Sequence, residues 1–143
     1  MGIDPFLIGN ESIEEAIERY YADTSKENLI GVMDALCRRI QQNGHFIVPV
    51  IATEDEMKFA FRTVQLDDGS VWMVLFTTQK EFEKGAPSEV LSNFMDTTLQ
   101  AVRSSDMPGC IINPWGRSFL LTKELIEILL STGAQSPEGS KIK

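Results

Sequence analysis

The sequence predicts a single α+β domain: a mixed sheet of about five strands with helices packed against it, preceded by two helices. Three observations lead to this class. Apolar residues recur at helical spacing in several segments. Short runs rich in β-branched and aromatic residues alternate with turn signals. The length, 143 residues, is that of one domain. We expect the domain to cover residues 11–133, between a vector-derived or disordered leader (residues 1–10) and a disordered tail (residues 134–143).

Two helices are predicted ahead of the first strand. The first covers residues 11–22, where Ser12 and Glu15 fit a capping box. The second covers residues 26–43, with Ser25 as its N-cap and one apolar stripe along its length. Their amphipathic patterns indicate that both helices pack on the sheet.

Three strands are predicted to follow. Residues 46–51 are apolar, but Pro49 cannot donate a ladder hydrogen bond, which predicts an edge strand or a bulge. Residues 57–64 alternate, as in a strand with one wet face. Asp67-Asp68-Gly69 is a hairpin turn signal, and residues 71–76 form the apolar return strand, covered on both faces.

The second half of the chain predicts a helix, a hairpin and a last helix. Ser88 caps the helix, which runs to residue 104 with an apolar stripe at helical spacing: Val90, Leu91, Phe94, Met95, Leu99 and Val102. Strands over residues 110–112 and 119–121 flank an Asn-Pro-Trp-Gly turn. Thr122 is the expected N-cap of a helix over residues 123–131.

Composition excludes several functional classes. The net charge of −8 opposes binding to nucleic acid or anionic membranes. The longest apolar runs are far too short for a membrane span, and no signal peptide is evident, so we expect a cytoplasmic protein. Cys37 and Cys110 lie inside apolar patterns and are expected to be buried thiols. No motif predicts a cofactor, a metal site or a catalytic residue, and His45 is interpreted as a boundary histidine.

The hairpin turn is the main candidate site. Trp and Arg are the residue types over-represented at binding hot spots. The turn supplies both, in the candidate set Asn113, Pro114, Trp115, Gly116 and Arg117. The alternative is structural: Trp115 folds back to cap the core, and Arg117 keeps the hairpin soluble.

Three segments carry a family resemblance: residues 46–50 (Phe-Ile-Val-Pro-Val), residues 74–82 and residues 111–116, together with Leu120 and the helix that follows. In this combination and order, over roughly residues 12–131, the chain resembles the SseB N-terminal-domain family, whose name derives from enhanced serine sensitivity. The resemblance implies an α+β domain of a bacterial cytoplasmic protein, with no known cofactor and no catalytic residues to carry over.

Two functional hypotheses remain open. The first is a non-catalytic protein-binding or regulatory module, of an immunity type for example, whose partner and oligomeric state the sequence does not identify. The second is a small-molecule sensor or enzyme of amino-acid (serine) metabolism, suggested only by the family name. It would need a pocket with convergent polar groups near Thr77, Thr78 and Asn113.

Overall fold

The strands form two linked sheets around which the helices pack. The computed structural model describes residues 5–52 and 59–132, so the acidic loop over residues 53–56 and the tail over residues 134–143 lie outside the described residues. The helices are α1 (Glu11–Ala22), α2 (Lys26–Gln41), α3 (Gln79–Phe82), α4 (Met95–Arg103) and α5 (Lys123–Thr132). The strands are β1 (His45–Ala52), β2 (Phe59–Phe61), β3 (Thr63–Gln65), β4 (Val71–Leu75), β5 (Glu89–Phe94), β6 (Gly109–Ile112) and β7 (Phe119–Thr122).

The predicted α+β class is confirmed, although the sheet differs in detail. One sheet has the order β2-β1-β5 and the other the order β3-β4-β6-β7. Only β4 and β6 pair in parallel, and all other neighbours are antiparallel. The described part of the chain therefore has seven strands rather than about five. The predicted strand over residues 57–64 is represented by β2 and β3, and β5 is an additional strand.

Arg62 and Phe76 join the two sheets. Ile47 and Phe76 exchange backbone hydrogen bonds of 2.9 and 3.0 Å. Arg62, between β2 and β3, donates its N–H to the Pro49 carbonyl (3.1 Å), while its own carbonyl accepts from Val74 N–H (3.4 Å). The prediction of an edge strand or a bulge at Pro49 is wrong, because β1 pairs on both sides and its register with β5 runs through Pro49 without an extra residue. Pro49 is tolerated because the carbonyl opposite it, that of Arg62, already accepts a hydrogen bond from Val74 N–H of β4.

The predicted helix from Ser88 to residue 104 is wrong in its first half. Residues Glu89–Phe94 form β5, which pairs antiparallel with β1 over six residues, and the helix starts only at Met95. Val90, Leu91 and Phe94, which the helical pattern placed in the core, are exposed. Met95, Leu99 and Val102 of α4 are buried as predicted.

The main core lies between one face of the strands and four helices. Its helical part comprises Ile13, Ala16 and Ile17 of α1, Val32, Leu36 and Ile40 of α2, Met95, Leu99 and Val102 of α4, and Ile126, Leu129 and Leu130 of α5. Its strand part includes Val48, Leu75, Ile112 and Leu121. We call this strand face the inner face. In the described ranges, no helix is both long and apolar enough to cross a bilayer.

The outer face of the strands has a smaller and thinner cover. Leu7, Ile47, Val74 and Phe76 form a second buried cluster there, with Val64 and Phe82 packed against it. The rings of Phe76 and Phe82 meet edge to face at 5.4 Å. The cover comes from a 3-10 turn (Pro5–Leu7) and from α3, a single helical turn.

Helix starts follow the predicted caps in two of four cases, and the predicted cap Ser88 precedes a strand instead of a helix. The Ser25 side chain accepts from Asn28 N–H, and the Thr122 side chain accepts from Leu125 N–H. The capping box at Ser12 is wrong, because α1 already begins at Glu11, after Asn10.

Asn10 instead links the start of the chain to the sheets. It is fully buried, and its Nδ2 donates to the carbonyls of His45 (2.9 Å) and Thr77 (2.8 Å). The guanidinium of Arg39 donates to Asn10 Oδ1 (2.7 Å) and to the Phe6 carbonyl (2.8 Å). Burial lowers the pKa of Arg39, yet an arginine stays charged at neutral pH. Residues 5–10, assigned to the leader from sequence, are thus packed against the domain.

Both cysteines are free thiols that differ in accessibility. Cys110 is fully buried, and burial raises its pKa far above the usual range; Cys37 is half-buried, and burial together with Asp34 raises its pKa. We expect Ellman's reagent at pH 8 to modify Cys37 slowly and Cys110 only after unfolding, since the thiolate is the reactive form. A Cys37→Ser variant should show no native reactivity. Two rapidly reacting thiols in the native protein would contradict the described burial.

Candidate functional site

Asn113 fastens the hairpin turn to the end of β4. It has a left-handed backbone (φ 56°) and is 2% exposed. Its Oδ1 accepts from Thr77 N–H (3.0 Å), and its Nδ2 donates to Thr77 Oγ1 (3.0 Å). Its own N–H donates to the Leu75 carbonyl (2.8 Å). These three bonds continue the parallel β4–β6 pairing beyond the last ladder position, so the turn leaves the sheet in one defined direction.

Glu14 of α1 completes this network. Its Oε2 accepts from Thr77 Oγ1 (2.5 Å) and from Thr78 Oγ1 (2.9 Å). Sequence reasoning named Thr77, Thr78 and Asn113 as a polar cluster, and the structure does bring them together. Their hydrogen-bonding groups are used within the protein, however, and none of the three residues lines any of the clefts described below.

The tip of the turn places Trp115 at the surface. The turn closes with a hydrogen bond from Gly116 N–H to the Asn113 carbonyl (3.2 Å). Trp115 is 49% exposed. Its indole nevertheless packs directly against Gly85: a Cβ on Gly85 would overlap the indole Nε1 and Cδ1 atoms. The structure thus combines the two alternatives: one part of the indole packs on the protein, and the other part faces solvent.

A shallow cleft opens beside the indole on the outer face. Its lining residues are Pro49, Arg62, Val74, Phe76, Phe82, Ala86, Ser88 and Trp115, and we call it the Trp115 cleft. Its volume is about 40 Å³, far below the roughly 300–1,000 Å³ of small-molecule pockets. It therefore has room for the end of one side chain, but not for a metabolite.

Arg117 lies on the other side of the turn. Its Nε is 3.3 Å from Glu18 Oε1, and its guanidinium carbon lies 5.1 Å from the centre of the Tyr21 ring. Tyr21 OH donates to the Ser118 carbonyl (2.6 Å). Tyr21 and Ser118 belong to a second, larger cleft of about 350 Å³, which we call the Tyr21 cleft; it is lined by Tyr20, Tyr21, Thr24, Leu29, Ser118, Phe119, Leu120 and Leu125. The two clefts share no lining residue.

Comparison with known protein families agrees with this architecture. The family model described as the SseB protein N-terminal domain matches residues 13–127. The chain belongs to this family. Searches of curated proteins and of solved structures returned no match. The matched range of the SseB N-terminal domain runs from α1 into α5 and so contains the turn and every lining residue of both clefts.

Two residues that shape the surroundings of Trp115 in this SseB N-terminal domain, Gly85 beneath the indole and Arg62 in the cleft, were not among the residues selected from sequence. Arg62 falls within the alternating segment 57–64, which predicts only a strand with one wet face. The roles of both residues depend on which strands pair, because the register brings Arg62 between Pro49 and Val74. No local signal in the sequence carries that information. Among the described residues, no three His, Cys, Asp or Glu side chains are grouped as metal ligands would be.

Proposed function

We propose that this SseB N-terminal domain is a non-catalytic protein-binding module and that the Trp115 cleft is its docking site. The strongest support is the indole of Trp115, which is half-exposed and packs against Gly85 on its other side. Gly85 seats the ring, and the Asn113–Thr77 network fixes the turn that carries it. A large side chain with few degrees of freedom loses little entropy on binding, which is why Trp is frequent at hot spots.

The surroundings of the indole also suit a protein partner. Val90, an exposed apolar side chain of β5, pairs with Pro49 of the cleft, and Phe94 and Phe6 are exposed beside His45 at the other end of β5. Phe94 and Phe6 pack on His45, with ring centroids at 4.5 and 4.3 Å. The single histidine thus lies between two aromatic rings, and its Nδ1 is 2.9 Å from the Ser92 hydroxyl. Exposed apolar groups around a shallow cleft are typical of interaction surfaces.

The proposal predicts that Trp115→Ala weakens partner binding at least tenfold without unfolding the domain, since hot-spot truncations cost about 2 kcal/mol or more. The matched control is Ile128→Ala, which removes a similarly exposed apolar side chain on α5. Quantitative affinity capture with the three baits identifies proteins retained by wild type and Ile128→Ala only. Calorimetry with the purified partner then gives the dissociation constants.

A second variant tests the packing of the indole on Gly85 rather than the presence of the indole. Gly85→Ala leaves Trp115 present but pushes the ring away, so it should also weaken binding while costing less than about 1 kcal/mol in stability, as expected for a half-exposed side chain. If Trp115→Ala and Gly85→Ala both bind the partner as tightly as wild type, the Trp115 cleft is not the docking site.

The Tyr21 cleft supports a second candidate function, binding of a small molecule. Its volume of about 350 Å³ lies within the range of ligand pockets, and it is lined by aromatic rings with a few hydroxyl groups. A thermal-shift panel of amino acids and related metabolites tests this alternative. A ligand that stabilises wild type but not Tyr20→Ala would support a sensor role, and no stabilisation by any ligand would remove the support.

A further inference from the structure

Arg62 is the one charged residue in a row of side chains that crosses the outer face. Residues paired across strands share a face, so the ladder registers give the order Val90, Pro49, Arg62, Val74, Ile111 and Leu120. Arg62 is exposed and lines the Trp115 cleft, with apolar neighbours in the row on both sides. A charged side chain between apolar neighbours lowers the hydrophobicity of this surface, which suggests a specific role for Arg62.

The other cations next to the hairpin turn already have acidic partners. Lys84 Nζ is 2.9 Å from Glu81 Oε2, and Arg117 Nε is 3.3 Å from Glu18 Oε1. Arg62 forms no ion pair with any residue that the structure describes. As far as residues 5–52 and 59–132 are concerned, the Arg62 guanidinium can therefore pair with a carboxylate of another molecule.

We infer that the partner of this cleft presents a short segment in which an acidic residue lies next to an apolar one. The apolar side chain enters the Trp115 cleft, and the carboxylate pairs with Arg62. This inference rests on the proposed docking function. The guanidinium favours a carboxylate because its planar donors match the two oxygens. The apolar neighbours, Pro49 and Val74, strengthen the pair by excluding water once the segment is bound.

The overall negative charge does not oppose this selectivity at short range. The screening length at physiological ionic strength is about 8 Å, so distant carboxylates of the domain contribute little to a contact at Arg62. The net charge of −8 should instead slow the approach of strongly acidic partners. We therefore expect one acidic residue at a fixed position beside the apolar anchor, and not an acidic tract.

The experiment is selection from a random twelve-residue peptide library displayed on phage, with Trp115→Ala used for counter-selection. We expect wild type to enrich peptides with an aromatic or aliphatic residue adjacent to Asp or Glu. Arg62→Ala should retain the apolar preference and lose the acidic one, and Arg62→Glu should replace it with Lys or Arg. In a synthetic winning peptide, Asp→Asn should weaken binding about tenfold to wild type and not at all to Arg62→Ala.

The outcomes separate this inference from the proposed function. Peptides that depend on Trp115 but show no acidic preference, and that bind Arg62→Ala as well as wild type, would overturn the inference and leave the docking site standing. A library that yields no Trp115-dependent peptide would overturn both. Arg38→Ala is the matched control: Arg38 is exposed on α2 and pairs with Asp34, so its loss should leave the selected peptides unchanged.

Discussion

Asn113→Ala is expected to lower the free energy of unfolding by about 3 kcal/mol. Two costs add up. The buried Thr77 N–H loses its acceptor, and Thr77 Oγ1 loses a donor. In addition, alanine at φ 56° suffers the steric penalty of the left-handed region, which Asn tolerates better. Urea unfolding followed by circular dichroism measures the difference.

Two controls divide this loss into its parts. Asn113→Gly keeps the left-handed backbone and removes only the side-chain hydrogen bonds, so it should cost about 2 kcal/mol. Asn43→Ala changes the other left-handed Asn (φ 63°), whose side chain is exposed, and should cost about 1 kcal/mol. If Asn43→Ala and Asn113→Ala were equally destabilising, the Asn113–Thr77 bonds would have no net effect on stability.

Gly109→Ala should destabilise the domain by about 3 kcal/mol, as overpacking of a rigid core does. A Cβ at this position would overlap the Leu121 carbonyl oxygen of the neighbouring strand and would lie 2.9 Å from the Trp72 ring. The strand backbone has no room to retreat, because Gly109 is buried between paired strands β4 and β7. The strain should appear as a lower urea midpoint.

Gly31→Ala is the matched control for this change. Gly31 lies inside α2, and a Cβ there would meet no atom within 4 Å. Alanine should stabilise this helix by about 0.5–1 kcal/mol, because it has less backbone freedom to lose on folding. The same substitution should therefore have opposite signs at the two glycines. A loss below about 0.5 kcal/mol at Gly109 would show that β6 and β7 can separate to admit the methyl group.

The sequence allowed α1, α2, α5 and the β6–β7 hairpin to be predicted because their signals are local. The pattern of α2 has a repeating apolar stripe and a Ser25 cap, and α5 starts at the Thr122 cap as expected. The β6–turn–β7 unit has two short apolar runs around Asn-Pro-Trp-Gly. Each of these features is decided by residues within a few positions of each other.

The features that could not be predicted depend on distant pairing. Val90, Leu91 and Phe94 fit a helical stripe with α4, and the helix was extended over them for that reason. Pairing with β1 overrides this local pattern, since β1 offers six residues of free ladder next to them. Pro49 led to a wrong prediction for the same reason. The Arg62 carbonyl, which would otherwise face the missing N–H of Pro49, accepts a hydrogen bond from Val74 N–H, and no residue near Pro49 in the sequence indicates this.

The candidate site shows the same division. The turn at Asn113–Gly116 was selected from its residue types, and its tip does lie at the surface. Asn113, Thr77 and Thr78 were selected as binding groups but are engaged in the network with Glu14. The roles of Gly85 and Arg62, on which the proposals depend, follow from tertiary contacts and cannot be recognised in the sequence.

The burial of the Trp115 indole on binding is open to direct measurement by fluorine NMR. Labelling with 5-fluorotryptophan gives two resonances, and Trp72→Phe assigns them, because Trp72 and Trp115 are the two tryptophans of the chain. With the captured partner at saturation, we expect the Trp115 resonance to shift and to lose its H₂O/D₂O solvent isotope effect, while the buried Trp72 resonance stays in place. A Trp115 resonance that keeps its position and its solvent effect in the saturated complex would show that the partner binds elsewhere.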